Sequence, residues 1–264
     1  MLMHPTIDQL NALKLTGMVK ALKEQMSSDS YEAMSFEERL GLLVDMETSE
    51  RESRRFKTRL TQAKFRQTAY MEDLDYSKRR GLDKSLINSL HSSKWIKEGT
   101  NILISGPTGV GKSYLACALG QRACVNGFKT RYFRSVRLFE DLRLAKGDGR
   151  YPKLIQMLAK THLLIIDDWG LVKLGERESQ DLLEILEDRH QLNPTIIASQ
   201  LPAQHWHEAI SNPTLADAIL DRLIHHAHKI NLSGESMRKK KKRSKTDVDS
   251  PELLESVNLQ QGET

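Results

Sequence analysis

Between residues 99 and 235, short apolar runs alternate with longer stretches whose apolar positions recur every three or four residues. The runs fall at 101–105, 129–134, 162–167, 194–199 and 228–232. The longer stretches fall at 112–125, 136–145, 152–160 and 178–191. Runs of that length bounded by turn residues predict buried strands, and the other period predicts amphipathic helices. Alternation of the two predicts an α/β unit with a parallel sheet and helices on both faces. Ligands of such sheets gather beyond the C-terminal ends of the strands.

Residues 1–66 carry only the helical period. Thr6 followed by Gln9 is one possible capping box. Leu10, Leu13, Met18, Leu22 and Met26 recur at helical spacing, and the polar residues 27–30 break the pattern. Ser35 followed by Glu38 is a second capping box. It opens a long helical run with Leu40, Leu43 and Val44 on one face. A small N-terminal helical domain is the expectation. Residues 67–98 read as a connector in which Met71, Leu74 and Tyr76 dock on the α/β unit. Residues 78–81 form a charged turn there, and 86–95 is a helix candidate. The α/β domain is expected to run over 99–238. Residues 239–245 are a basic block, and the polar, slightly acidic remainder to 264 reads as disordered.

Composition narrows this little. Of 264 residues, 39% are hydrophobic and 28% charged, as in a globular protein. No apolar run approaches the ~20 residues that span a bilayer. No leader pattern opens the chain, so a cytoplasmic location is expected. Cys117 and Cys124 lie on one predicted helix, about 10 Å apart, too far for a disulfide. They read as buried thiols. His205 and His207 around Trp206, and the group His225, His226 and His228, complete no metal-ligand pattern.

The net charge is +5, and its distribution matters more than its size. Arg51, Arg54, Arg55, Lys57, Arg59, Lys64 and Arg66 are opposed only by Glu52. Such a run is either a solvated helix face or a surface for DNA phosphates. Arg51, Arg54, Arg55, Lys57 and Arg59 are the candidate DNA contacts.

Chemistry is clearest at residues 106–113. Gly106-Pro107-Thr108-Gly109-Val110-Gly111-Lys112-Ser113 satisfies G-x-x-x-x-G-K-[ST] between a predicted strand and a predicted helix. The glycines can take positive φ and leave room for phosphate. Backbone N–H groups then converge on the phosphate oxygens at a helix N-terminus. Lys112, expected to be exposed until nucleotide arrives, reaches the β- and γ-phosphates, and Ser113 ligates Mg²⁺. Tyr114 adjoins the loop. The strand at 162–167 ends in Asp167 and Asp168. It is expected beside the P-loop strand, with Asp167 in the Mg²⁺ shell and Asp168 polarising the attacking water.

Five segments together resemble the IstB-like AAA+ ATPases: the P-loop, the Asp167-Asp168 strand end, residues 195–202, residues 217–223 and residues 234–238. These are the ATP-binding helpers of an insertion-sequence transposition system and relatives of the DnaC helicase loaders. The resemblance implies an AAA+ P-loop NTPase core that binds and hydrolyses ATP with Mg²⁺. It implies double-stranded DNA and a transposase as partners, and a homo-oligomer with head-to-tail contacts. Ser199 and Gln200 match the sensor-1 region, Arg222 the arginine finger offered to a neighbouring subunit, and Arg238 sensor 2. Arg222 can also be read as an intramolecular pair with Asp221 or Glu187, and Arg238 as part of the basic block.

Two departures stand out. Asp168 replaces the usual Glu, so hydrolysis is slow or needs activation. Only 26 residues follow Arg238, which leaves little room for a helical lid. A DnaC-like helicase loader shares the same core with another client. An ATP-binding DNA-structural protein with little turnover is a further alternative. A small-molecule kinase would need an acceptor pocket and a closing lid, which no segment suggests.

Overall fold

The computed structural model describes residues 5–77 and 80–237. Lys78, Arg79, Arg238, the basic block and the tail lie outside the described residues. The chain divides into two compact units, one ending at Gln62 and the other beginning at Ala63.

The first unit is helical: α1 (Pro5–Ala12), α2 (Thr16–Ser27) and most of α3 (Phe36–Ala63). The capping box at α3 forms in both directions. Ser35 N–H donates to Glu38 Oε2 at 2.8 Å, and Glu38 N–H donates to Ser35 Oγ at 3.2 Å. Thr6 lies inside α1 rather than at its cap. The start of α2 has no capping side chain of its own. Buried Glu47 of α3 serves instead, accepting from Gly17 N–H at 2.7 Å and Met18 N–H at 3.2 Å. A carboxylate suits helix donors that have no intrahelical partner. The Arg51 side chain, aided by these donors, holds the Glu47 carboxyl below its usual range. Leu40 and Val44, on the apolar face read from the sequence, remain 41% and 46% exposed.

The second unit is a five-stranded parallel sheet between two helical layers. Its strands are β1 (Asn101–Ser105), β2 (Thr130–Arg134), β3 (Leu163–Trp169), β4 (Thr195–Ser199) and β5 (Ala227–Asn231). The spatial order is β2-β3-β4-β1-β5. This corrects one expectation: the acid-bearing β3 does not lie beside β1, because β4 is inserted between them. Local pattern marks a strand but carries no record of its neighbour.

Helices occupy both faces. They are α4 (Lys84–His91), α5 (Lys94–Lys97), α6 (Lys112–Val125), α7 (Ser135–Gly147), α8 (Tyr151–Ala159), α9 (Glu176–Arg189) and α10 (Pro213–Ile224). Side chains alternate across each strand. Ile102, Ile104, Ile165, Ile196 and Ala198 therefore enter one core with Leu115 and Leu119 of α6 and Ile87 and Leu90 of α4. Leu103, Leu164, Ile166 and Ile197 enter the other with Leu138, Ile155, Leu182 and Ile219 from α7 to α10. Met71 is buried in the first core, with Leu74 and Tyr76 packed against it. Cys117 and Cys124 are buried on α6, as expected. Among the described residues, no helix is long and apolar enough to cross a membrane.

Helix α10 was legible only as part of a motif, although Asn212 and Pro213 announce it. Asn212 Oδ1 accepts from Thr214 N–H at 3.0 Å and Leu215 N–H at 3.2 Å. Proline at the first helical position loses no hydrogen bond.

One buried cation ties the second core together. Arg189, 2% exposed, donates to the carbonyls of Leu158, Thr161 and Pro194. It also reaches Thr195 Oγ1 at 3.3 Å. Burial alone lowers its pKa. Replacing Arg189 with Ala strands these carbonyls in a dry interior. Unsatisfied buried acceptors cost on the order of 1–3 kcal/mol each, so the expected loss is about 3 kcal/mol or more. Urea unfolding followed by circular dichroism measures it, and a midpoint equal to wild type would deny Arg189 this role.

Candidate nucleotide site

The loop between β1 and α6 has the backbone its glycines permit. Gly106, Gly109 and Gly111 have φ of 145°, 83° and 105°. A Cβ on Gly106 would strike the Leu232 carbonyl, and one on Gly109 would strike the Ser236 side chain. The segment after β5 thus backs the loop, and Met237 N–H donates to Gly109 O at 2.9 Å. Gly111 caps α6 without a side chain. The first backbone N–H groups of α6 are therefore presented to any anion above them. Pro107 and Thr108 form the exposed tip, and Val110 is buried.

Lys112 departs from expectation. It is buried, and its Nζ donates at 2.7 Å to the carbonyls of both Gly106 and Pro107. A short glycine loop curls back over the lysine that follows it, so apo exposure was the wrong inference. Burial lowers the Lys112 pKa, opposed by the carboxylates of Asp167 and Asp168. Ser113 is half-buried beside it. Tyr114 Oη accepts from Tyr70 N–H at 3.3 Å and reaches Asp73 Oδ2 at 3.4 Å.

The acid pair terminates β3. Asp167 is 1% exposed. Its Oδ2 accepts from Tyr132 Oη at 2.6 Å, and its Oδ1 accepts from Asp168 N–H at 2.8 Å. Burial first, and then the bond to Asp167, push the Tyr132 hydroxyl pKa well up, so it stays a donor. Asp168 has φ of 58°, left-handed for a non-glycine residue, at a register irregularity between Ile166 and Trp169. That lifts its side chain away from the strand alternation. Arg134 Nε holds it at 2.7 Å. Arg66 Nη1 lies 3.7 Å from Asp168 and 3.9 Å from Asp167.

Ser199 is fully buried. Its Oγ donates to Trp169 O at 2.8 Å and accepts from Leu201 N–H at 3.0 Å. It therefore fixes the ends of β4 and β3 together, while Gln200 is the exposed member of the pair. Arg222 lies elsewhere. Its carbonyl accepts from Asn101 Nδ2 at 3.0 Å. Asn101 begins β1, whereas the loop follows its end, roughly 13 Å along the strand. The guanidinium pairs with Glu187 Oε1 at 2.8 Å, one of the two intramolecular readings. Of the basic run in α3, Arg51 pairs with Glu47 at 2.6 Å and Arg54 donates to Thr16 Oγ1 at 2.7 Å. Arg55 and Lys57 are exposed, and Arg59 is half-buried.

Sequence reasoning missed three arginines. Arg80, read as part of a charged turn, is buried. It bonds Val110 O at 2.8 Å and Asp75 Oδ2 at 3.0 Å, and meets the Met237 sulfur. Arg134 reaches the acids because β2 pairs with β3, Arg134 opposite Asp167. Arg66 was absorbed into the basic run. Only strand pairing or a tertiary fold could have shown any of these.

The donors suit a hard cation and a phosphate chain. Ser113 and Asp167 supply oxygens, as Mg²⁺ requires, and the uncapped helix start supplies N–H groups. Fold and site define a P-loop nucleotide-binding protein with an AAA+ core. The IstB-like ATP binding protein family matches residues 8–245, and the chain belongs to it. It is 53% identical over 92% of its length to the putative insertion sequence ATP-binding protein y4pL of Sinorhizobium fredii, covering 99% of that protein. The DnaC helicase loader has a similar fold, with TM-score 0.52 and 15% identity over 62% of this chain and 97% of that one. The replication initiator DnaA bound to AMPPCP and single-stranded DNA gives 0.57 and 16%, over 74% of this chain and 60% of that one.

Lys112→Ala is expected to weaken ATP binding at least tenfold while the far-ultraviolet spectrum stays native. Calorimetric titration with ATP checks this, and unchanged affinity would remove Lys112 from the phosphate site.

Proposed function

We propose that this chain is an ATP-hydrolysing assembly factor of insertion-sequence transposition. With ATP and Mg²⁺ bound it associates head-to-tail on double-stranded DNA and presents that DNA to a transposase. Hydrolysis then releases the assembly. The observation that carries this reading is the meeting of an uncapped P-loop helix with two carboxylates at the end of β3. Both acids act on the Lys112 charge. Family membership and relatives named as insertion sequence ATP-binding proteins supply the transposition context. DnaA, which shares the fold, is bound to single-stranded DNA in its structure, so the fold is compatible with a nucleic-acid partner.

In this reading the loop amides and Lys112 bind and orient the phosphates, and Ser113 and Asp167 hold Mg²⁺. ATP supplies the phosphoanhydride bond and Mg²⁺ the charge neutralisation of its oxygens. Asp168 accepts a hydrogen bond from water and withdraws proton density from it. Arg134 holds one of the Asp168 oxygens, so the pair weakens Asp168 as an acceptor until Arg134 is drawn elsewhere. Gln200 would orient that water, with Ser199 holding the turn beneath it. Arg222 is too far from its own loop to serve it, which favours action on a neighbour's site. An always-charged guanidinium suits that task. The exposed arginines and lysine of α3 would track DNA phosphates. Arg238, as sensor 2, lies outside the described residues.

The Arg134–Asp168 pair also favours a second reading, in which ATP gates DNA binding with little turnover. A steady-state ATPase assay separates them. Turnover is expected to rise severalfold on adding double-stranded DNA. Asp168→Asn should still bind ATP and DNA but turn over at least a hundredfold slower, the lower range for a lost general base. No turnover under any condition would favour the gating reading.

Mixing two inactive variants tests Arg222. Arg222→Ala keeps a sound loop, and Lys112→Ala keeps a sound arginine. Head-to-tail contacts pair one chain's arginine with the next chain's loop. Part of the activity should therefore return in the mixture and grow with protein concentration. A mixture that co-assembles yet stays inactive would confine Arg222 to its own chain.

A further inference from the structure

Arg66 occupies a position that a surface basic run does not explain. Three residues after the end of α3, its guanidinium faces both acids of the site. The backbone there is held firmly. Phe65 packs into the first core, and a Cβ on Gly120 would come within 2.6 Å of its ring. The backbone amides of Arg66 and Gln67 bond the Cys117 thiol, whose pKa burial nonetheless raises to about 11. The side chain is a different matter. It is 41% exposed, and neither acid is closer than 3.7 Å. A rigid backbone thus carries a movable cation to the mouth of the site.

The bonds of Asp167 say what that cation does. One oxygen accepts from Tyr132 and the other from the amide of Asp168, so only part of each oxygen's accepting capacity is left. Arg66 faces that remainder. A divalent cation needs the same lone pairs. At the ~2.1 Å of a magnesium–oxygen bond it would stand within roughly 6 Å of the guanidinium, where like charges repel.

We propose that Arg66 is the internal counter-ion of the acid pair and competes with the divalent metal for it. Metal and nucleotide entry then expels the Arg66 side chain, so the stretch joining α3 to the nucleotide unit registers metal–nucleotide occupancy. Arg66 is a positioning residue in this scheme and touches no substrate. The inference rests on the proposed reading of Asp167 as a metal ligand.

Binding rather than activity tests it. ATP affinity is measured by calorimetry at a series of Mg²⁺ concentrations and in EDTA, for wild type, Arg66→Gln, Arg66→Lys and Asp167→Asn. Removing a partly exposed competing charge should lower the Mg²⁺ concentration for half-maximal affinity gain about two- to fivefold in Arg66→Gln. Affinity in EDTA should stay as in wild type, and Arg66→Lys should restore the wild-type midpoint. Partial exposure makes the glutamine variant tolerable to the fold. An unchanged Mg²⁺ midpoint in Arg66→Gln would overturn the proposal. So would a weaker affinity in EDTA, which would make Arg66 a phosphate ligand. Asp167→Asn separates the two levels. If it leaves the Mg²⁺ dependence intact, the metal-ligand reading itself fails. If it abolishes that dependence while Arg66→Gln does not shift it, only the counter-ion role fails.

Discussion

The start of α6 concentrates partial positive charge that no capping side chain of this helix neutralises. Gly111 stands where a Ser or Asp would normally accept a helix N–H, and the first donors of α6 point past it. The loop cannot relax to satisfy them, because its outer side is already bonded. Met237 N–H takes the Gly109 carbonyl, and the Arg80 guanidinium takes the Val110 carbonyl. Lys112 takes the carbonyls of Gly106 and Pro107. Carbonyls are answered by the protein, and amides are left for a ligand. Arg80 and residues 232–237, far apart in sequence, meet behind the loop to achieve this.

That constraint governs what the sheet must do. In a parallel sheet, every strand ends on the loop's side, so acids meant for the ligand have to come from a strand end. Inserting β4 puts β3 two strand spacings from β1, roughly 10 Å. A carboxylate beside the loop strand would crowd the loop itself, whereas this gap leaves room for a phosphate chain and an ion. β3 has seven residues against five in each of the other strands and ends in a left-handed Asp168. The extra length brings both acids to the strand's end, Asp167 still buried and Asp168 half-buried. Ser199, at the end of the intervening strand, ties the lengthened end of β3 down through the Trp169 carbonyl.

Most of this unit was legible in sequence because its signals are local. The run 101–105, the helix 112–125 and the glycines at 106, 109 and 111 appear where periodicity and motif put them. Ser35 and Glu38 cap α3 as their spacing required. What stayed hidden is what depends on pairing across long separations. Strand order is one example, since Ile196 and Ile165 look alike in sequence whichever strand they pair with. The three arginines around the site are another. Arg66, Arg80 and Arg134 sit in a basic run, a charged turn and a strand end, and each setting reads as solvent in one dimension. Arg222 shows the converse. Its motif points to a nucleotide, yet its own chain offers it Glu187.

The charges around the acids form an unbalanced set. Lys112, Arg66 and Arg134 gather about Asp167 and Asp168. Three cations against two carboxylates leave a net positive mouth. On the proposed reading, metal-bound nucleotide reverses that sign, since its phosphates carry more charge than the metal does. Arg134 would then be needed by phosphate oxygens as much as by Asp168, and Asp168 could be released only in a loaded site. Arg80, behind the loop, is already bonded to Asp75 and Val110 and is not available to offset the excess negative charge left over. A cation from outside would balance it. An arginine from another copy of the chain would do so only after assembly, which would make hydrolysis wait for a neighbour.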